Sequence, residues 1–362
     1  MKTNIKIMLS LAMAALMTSC IKEVEFTGEQ TEPVLVVNGM QQVGKTPNLI
    51  IEKSHFFLSN ATSTNVEGLE VKLFVNDEFV ENLTVADSML YAEGEYYYET
   101  NYKFNYCHGD YIFKEGDKVR FEITSDEFDP ASASLVMPGQ PEVLGFDTTR
   151  MEGIYYDTYE ECPECYTDTD SEGKPCRIEN NGYYDSETHE WIDHFDTIYP
   201  GSLFYATLYF ALQINDAAGS HYYNIKPTEG FYNYYTRFYS EDPVFSNLSL
   251  TSLTDSDYQG NDSYNVFSDA LFENQHYDLN FYSEYVYFDN QARQFTVELS
   301  LISEDFYKYF QSYRSYNSND LGIFTYLYAE PTQIYSNVEG GIGIVGAMGK
   351  PVTAQLSISY HR

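Results

Sequence analysis

Apolar and polar residues alternate in short runs along most of this chain, the period-two signature of half-buried β-strands. Val34-Leu35-Val36-Val37, Leu49 to Leu58, a hairpin from Val71 to Val85 turning at Asn76-Asp77, Lys118 to Ile123 and Ser132 to Val136 are predicted strands. Pro138-Gly139-Gln140-Pro141 then breaks the pattern. Residues 33–138 therefore read as one antiparallel sandwich of immunoglobulin-like or transthyretin-like size. Strand patterns resume with Leu203 to Ile214, a turn at Asp216-Ala217-Ala218-Gly219 and a strand from His221 to Ile225. Tyr277 to Phe281, Phe295 to Leu301 and Ala354 to Tyr360 are further strands. One helix is predicted, capped by Ser303, with Glu304 and Asp305 at the positive end of its dipole. Phe306, Phe310 and Tyr313 recur at helical spacing and read as a core-facing stripe.

Residues 150–200 differ: they are acidic, rich in Gly, Asn and Tyr, and hold three cysteines. They read as a long surface insertion in a second β-rich domain spanning 139–362. The expected fold is thus all-β and mostly antiparallel, an N-terminal sandwich followed by a second β-rich domain with one short helix.

The first residues follow another rule. Lys2 and Lys6 precede an apolar run, Ile7 to Met17, too short to cross a bilayer, and Met17-Thr18-Ser19-Cys20 places small residues before a cysteine. This resembles a bacterial lipoprotein precursor: residues 1–19 are a signal peptide, Cys20 carries acyl chains of the palmitate class, and residues 20–32 are a polar tether. The alternative is a plain secreted protein cut nearby. Past the signal no apolar run approaches the roughly 18 residues of a spanning helix, so the lipid would be the membrane attachment. Lys22 and the acidic residues after Cys20 look like the signals that send Bacteroidota lipoproteins to the cell surface, and read equally as a solvated linker.

Composition narrows the partners. Aromatic residues make up 17% of the chain, with 36 Tyr against a single Trp, and charged residues only 21%, a balance that favours β-rich globular structure over disorder. The formal charge is −35, which repels a phosphate backbone, so nucleic acid is not an expected partner.

Four segments carry a family resemblance: Pro33 to Gly39, Glu115 to Phe121 leading to Pro138, Ile214-Asn215-Asp216 with Gly219 and Tyr222-Tyr223, and Glu330-Pro331 through Tyr335 to Ala347. In this order they resemble the Bacteroidota outer-membrane lipoproteins catalogued as domain of unknown function 4249. The resemblance implies an outer-membrane lipoprotein with an N-terminal β-sandwich and a second β-rich domain, of a kind often associated with TonB-dependent transporters. It supplies no catalytic residues, and the cysteine-bearing insertion lies outside its pattern.

Several motifs invite chemistry. Gly39 to Thr46 fits the phosphate-loop expression, but Pro47 pushes Thr46 out of the helical region, so a hairpin loop is expected and no nucleotide. Gly341-Ile342-Gly343-Ile344-Val345-Gly346 fits the dinucleotide expression with only sixteen residues left behind it, too few for the rest of that unit. Its glycines instead suit a bulge or a close backbone approach. His189 and His194 stand five apart, where a metalloprotease helix needs four.

Cys107, Cys162, Cys165 and Cys176 remain beyond Cys20, an even number in an oxidising compartment, so disulfides are expected with three connectivities open. Cys162 and Cys165 also resemble a redox pair or half a zinc knuckle. Asp168, Asp170, Glu172 and Glu179, with Gly173, take the spacing of a calcium loop, although Glu172 and Pro175 depart from it. A solvated acidic loop is the competing reading. No other cofactor is implied. Asp87-Ser88, Asp147-Thr148 and Asp196-Thr197 resemble O-glycosylation sites of secreted Bacteroidota proteins, with Ser88, Thr148 and Thr197 as acceptors.

The functional expectation is a non-enzymatic surface lipoprotein that binds a sugar or peptide through tyrosine-rich loops or assists a TonB-dependent transporter. The alternatives are a secreted hydrolase working through paired carboxylates and a structural or adhesive lipoprotein stiffened by calcium.

Overall fold

The computed structural model describes residues 32–55, 63–92, 100–157, 167–180, 183–185, 190–192, 195–198, 202–230, 236–245, 251–253, 265–288, 292–318 and 333–359. The first two strands, β1 (Leu35–Gln42) and β2 (Asn48–Lys53), form an antiparallel hairpin. The Lys45 N–H donates to the Gln42 carbonyl at 3.0 Å, so the segment with the phosphate-loop spelling is a turn. β3 (Glu70–Val75) and β4 (Glu78–Asn82) follow, joined by Asn76 and Asp77 at φ 54° and 66°. Two left-handed residues make the tight turn whose twist matches a hairpin, and Asn and Asp tolerate that conformation. β5 (Thr84–Ala92) pairs with β6 (Thr100–His108), β6 with β2, and β7 (Lys118–Thr124) lies between β3 and β8 (Ala131–Val136).

β9 (Glu142–Asp157) is longer than its sequence announces. Its second half pairs with the start of β15 (Ser202–Asn215), Tyr209 opposite Arg150 and Ser202 opposite Asp157. The insertion expected over 150–200 therefore departs after β9. β9 is an edge strand, and residues 147–153 are exposed, so they show little of the apolar alternation that marks an inner strand. Between β9 and β15 lie five short strands, β10 (Asp168–Thr169), β11 (Pro175–Asn180), β12 (Tyr183–Asp185), β13 (Glu190–Ile192) and β14 (Phe195–Ile198), in two small sheets.

The chain continues through β16 (Tyr222–Glu229), β17 (Arg237–Ser240), β18 (Thr251–Ser252), β19 (Asn265–Ser268), β20 (His276–Phe288) and β21 (Arg293–Ile302) to the helix α1 (Glu304–Ser318). It ends in β22 (Val338–Glu339), β23 (Ile342–Met348) and β24 (Val352–Ile358). The helix starts where its acidic first turn predicts. The Ser303 carbonyl accepts the Tyr307 N–H at 3.1 Å, while its hydroxyl accepts the Ala347 N–H at 3.0 Å. That serine ties the helix start to β23.

β23 closes the architecture. It runs parallel to β1, with Val36 opposite Ile342 and Gln42 opposite Met348. One nine-stranded sheet results, ordered β19-β16-β21-β23-β1-β2-β6-β5, with β24 also beside β21. A five-stranded sheet, β22-β8-β7-β3-β4, packs over one half of it, and a second, β18-β17-β20-β15-β9, over the other. The segment 33–138 thus receives β22 and β23 from the far end of the chain. All pairings but β1 with β23 are antiparallel among the named strands, as the alternation predicted.

Two cores fill the sandwiches. Leu35, Val37, Leu49, Ile51, Phe121 and Val345 belong to the first, and Phe210, Phe238, Phe281 and Phe295 to the second. Phe210 lies 5.2 Å from Phe281 and 5.1 Å from Phe295 between ring centres, so the phenylalanines largely account for the aromatic composition of that core. A third cluster forms where Phe306 of α1 meets Ile344 of β23 and Val266 of β19. The glycines of the dinucleotide-like string serve this packing. A Cβ on Gly343 would sit 2.1 Å from the Val37 carbonyl oxygen, and one on Gly346 2.8 Å from the Phe306 ring.

Candidate functional site

The outer face of the sheet β18-β17-β20-β15-β9 carries the most distinctive surface. On β15 the residues Ala206, Leu208 and Phe210 are buried, while Tyr205, Thr207 and Tyr209 face outward. β20 repeats the pattern with Phe281 inside and Tyr282 and Glu284 outside, and β17 with Phe238 inside and Tyr239 outside. Cross-strand register then aligns the outward residues, since Tyr239 lies opposite Tyr282, Tyr282 opposite Tyr209, and Tyr209 opposite Arg150. One residue from each of four neighbouring strands makes a single row about 14 Å long, three interstrand spacings.

The rings lie 5.7 Å (Tyr239 to Tyr282) and 5.6 Å (Tyr282 to Tyr209) apart, tilted by 34° and 33°. The Arg150 guanidinium sits 3.9 Å from the Tyr209 ring centre, held by a 3.1 Å ion pair with Glu152. Burial, then the Glu284 and Glu241 carboxylates, raise the Tyr282 hydroxyl above the usual tyrosine range, so it stays a donor. An open groove of about 530 Å³ runs past Arg150, Tyr209 and Tyr282, bordered by Thr149, Thr207, Glu241, Asn280 and Glu284.

One end of the groove is fixed by Asp242. Its carboxylate accepts the Tyr277 hydroxyl at 2.6 Å, the Asn280 N–H at 3.0 Å and the Val244 N–H at 3.2 Å, which pins the turn Pro243–Phe245 to β20. Flat apolar ring faces flanked by carboxylates, an amide and one arginine are suited to stacking against a sugar ring or an extended peptide while bonding its polar edge.

The residues singled out by sequence lie elsewhere. Asp168 and Thr169 pair with Cys176 and Pro175 in a β-hairpin. The Asp170 Oδ1 accepts the Glu172 and Lys174 N–H groups, each at 2.9 Å, so it closes the turn. Glu179 is three residues further along β11, opposite Asp196 and about 10 Å beyond Cys176. The backbone of the expected calcium loop thus runs as a hairpin turning at residues 170–174, with Glu179 on the strand that leaves it.

Cys107 and Cys176 are free and buried. Cys107 lies wholly within the first core, where burial pushes its thiol up to about 12. Cys20, Cys162, Cys165, His189 and His194 lie outside the described residues. Thr148 on β9 and Thr197 on β14 are exposed, whereas Ser88 on β5 is half-buried.

Sequence reasoning placed the tyrosines of interest in loops, whereas the row stands on strand faces. Its signal was present in Tyr205-Ala206-Thr207-Leu208-Tyr209-Phe210, where every second residue is polar or amphipathic.

The geometry defines a double β-sandwich protein with an aromatic face. A family described as a domain of unknown function (DUF4249) matches residues 21–352, and the chain belongs to it. No curated protein matches the chain, and no solved structure does.

Proposed function

We propose that this protein is a non-enzymatic outer-membrane lipoprotein, anchored through Cys20 and exposed at the cell surface, that holds a sugar or peptide for a TonB-dependent uptake system. The observation that carries the binding part is the row Tyr239, Tyr282, Tyr209 and Arg150, the last three of which line an open groove. The anchoring part rests on the signal pattern ending in Cys20.

The groove favours binding over turnover because its aromatic faces are flat and solvent-open, with no enclosure that would exclude water from a reacting bond. An oligosaccharide and peptide array probed with the purified protein, followed by calorimetry on the hits, tests the reading. Tyr282→Ala removes the central ring and is expected to weaken the best ligand about fivefold, in line with about 1 kcal/mol for an aromatic contact. Affinity unchanged in Tyr282→Ala and Tyr209→Ala would refute the row as the contact surface. Ligand turnover abolished by a single carboxylate substitution would establish the hydrolase instead. Acylation is read separately, by mass spectrometry of the N-terminal peptide beginning at Cys20.

A further inference from the structure

A second constellation sits at one end of the same sandwich, where the turn between β15 and β16 meets the residues after β19. Asp216 and His221 come from the first segment and Asp269 from the second. The Asp216 side chain is fully buried and that of Asp269 is 5% exposed, while His221 keeps a quarter of its side chain open to solvent.

Each carboxylate is held in place. Asp216 Oδ2 accepts the Asn274 N–H at 2.7 Å and Oδ1 accepts the Tyr223 hydroxyl. Asp269 Oδ2 accepts the backbone N–H of His221 at 2.6 Å. Asn274 reaches its position through a left-handed backbone, φ 56°, which asparagine tolerates.

The histidine nitrogen is the informative atom. Its Nδ1 lies 3.1 Å from Asp216 Oδ1 and 3.4 Å from Asp269 Oδ2, is itself buried, and makes a hydrogen bond with acceptable geometry to neither. A buried ring nitrogen left unbonded beside two carboxylates is costly. The cost disappears if the three donors share a cation. All three donor atoms lie within 4.8 Å of one another. Around tetrahedral zinc, with bonds of about 2.0–2.2 Å, neighbouring donors stand about 3.3–3.5 Å apart.

We propose that Asp216 Oδ1, His221 Nδ1 and Asp269 Oδ2 bind a divalent transition-metal ion of the zinc class, which staples the β15–β16 turn to the segment following β19. An imidazole nitrogen among the donors selects this class over calcium and magnesium, which take oxygen ligands. Two carboxylates and a neutral imidazole leave two negative charges, which a dication neutralises. Three protein ligands leave one position for water on the solvent side, where His221 is exposed. The site is independent of the tyrosine row, so either proposal can fail alone.

The test uses the full chain with zinc and cobalt as probes. Chelator-competition titration is expected to give one zinc per chain and a raised melting temperature. Cobalt is expected to give the visible bands of a four-coordinate site, and zinc-edge X-ray absorption a single imidazole. His221→Ala and Asp269→Asn are each expected to lower zinc affinity at least about tenfold. Asp269→Asn keeps an acceptor for the His221 N–H, so its metal-free fold, read by circular dichroism, is retained. Absence of stoichiometric zinc binding to the wild type, or equal binding by both variants, overturns the proposal. So does an absorption spectrum without imidazole, a readout that needs no variant to fold.

Discussion

Replacing Gly343 by alanine tests the strand pairing that joins the two ends of the chain. Gly343 has φ +122°, and a Cβ there would stand 2.1 Å from the Val37 carbonyl oxygen and 2.8 Å from its carbon. Both atoms are backbone of β1, so relief requires moving a strand that also pairs with β2. The backbone strain costs about 1–3 kcal/mol, and the overpacking about 1–3 kcal/mol more. A loss near 4 kcal/mol is a large share of the roughly 5–15 kcal/mol that keeps a domain folded. Gly44 is the control. Its φ is +85° and nothing lies within 4 Å of the position a Cβ would take, so Gly44→Ala pays only for the backbone, about 1 kcal/mol. Thermal melting followed by circular dichroism is expected to place Gly343→Ala roughly 6 °C or more below Gly44→Ala, at about 2 °C per kcal/mol for a chain of this size. Equal midpoints for the two variants would show that β23 does not lie against β1.

Burial holds the Cys107 thiol at about 12, so the reactive thiolate is scarce at pH 8. Peptide mapping after alkylation is expected to find Cys107 unmodified in the native protein and labelled in denaturant, and native labelling would place it outside the core. The Lys53 ammonium, then the Glu67 N–H, hold the Glu127 carboxyl below its usual value. Because that pKa is depressed, the stabilisation is present above the unfolded value of about 4.3 and is lost as pH falls through the folded value. Lys53→Met is expected to lower stability by less than about 1 kcal/mol at pH 7, the pair being partly solvated, and by nothing near pH 2. A difference that stays constant over that range in urea titrations contradicts the pairing.

Local pattern was enough to find the inner strands. Lys118 to Ile123, Leu203 to Ile214 and Phe295 to Leu301 alternate because each has one face in a core, and Asn76-Asp77 announces its own turn. Ser303 and the acidic residues after it likewise mark the start of α1. The outer part of β9 escaped because an edge strand facing solvent carries no such contrast. The hairpin that carries Asp168 to Glu179 was not announced, because its two short strands hold polar and charged residues without apolar alternation.

Amino-acid order alone determined the β-rich class, the turns and the helix start, since each depends on residues within a few positions of one another. Partner choice belonged to the tertiary structure. Only folding sets Ile342 to Met348 against β1, lines Tyr239, Tyr282 and Tyr209 into one row, and brings Asp269 to the backbone N–H of His221 across 48 residues. A strand's alternation says which face is buried, but its unpaired edges accept any strand of matching length. Burial of the two shared cores selects among them.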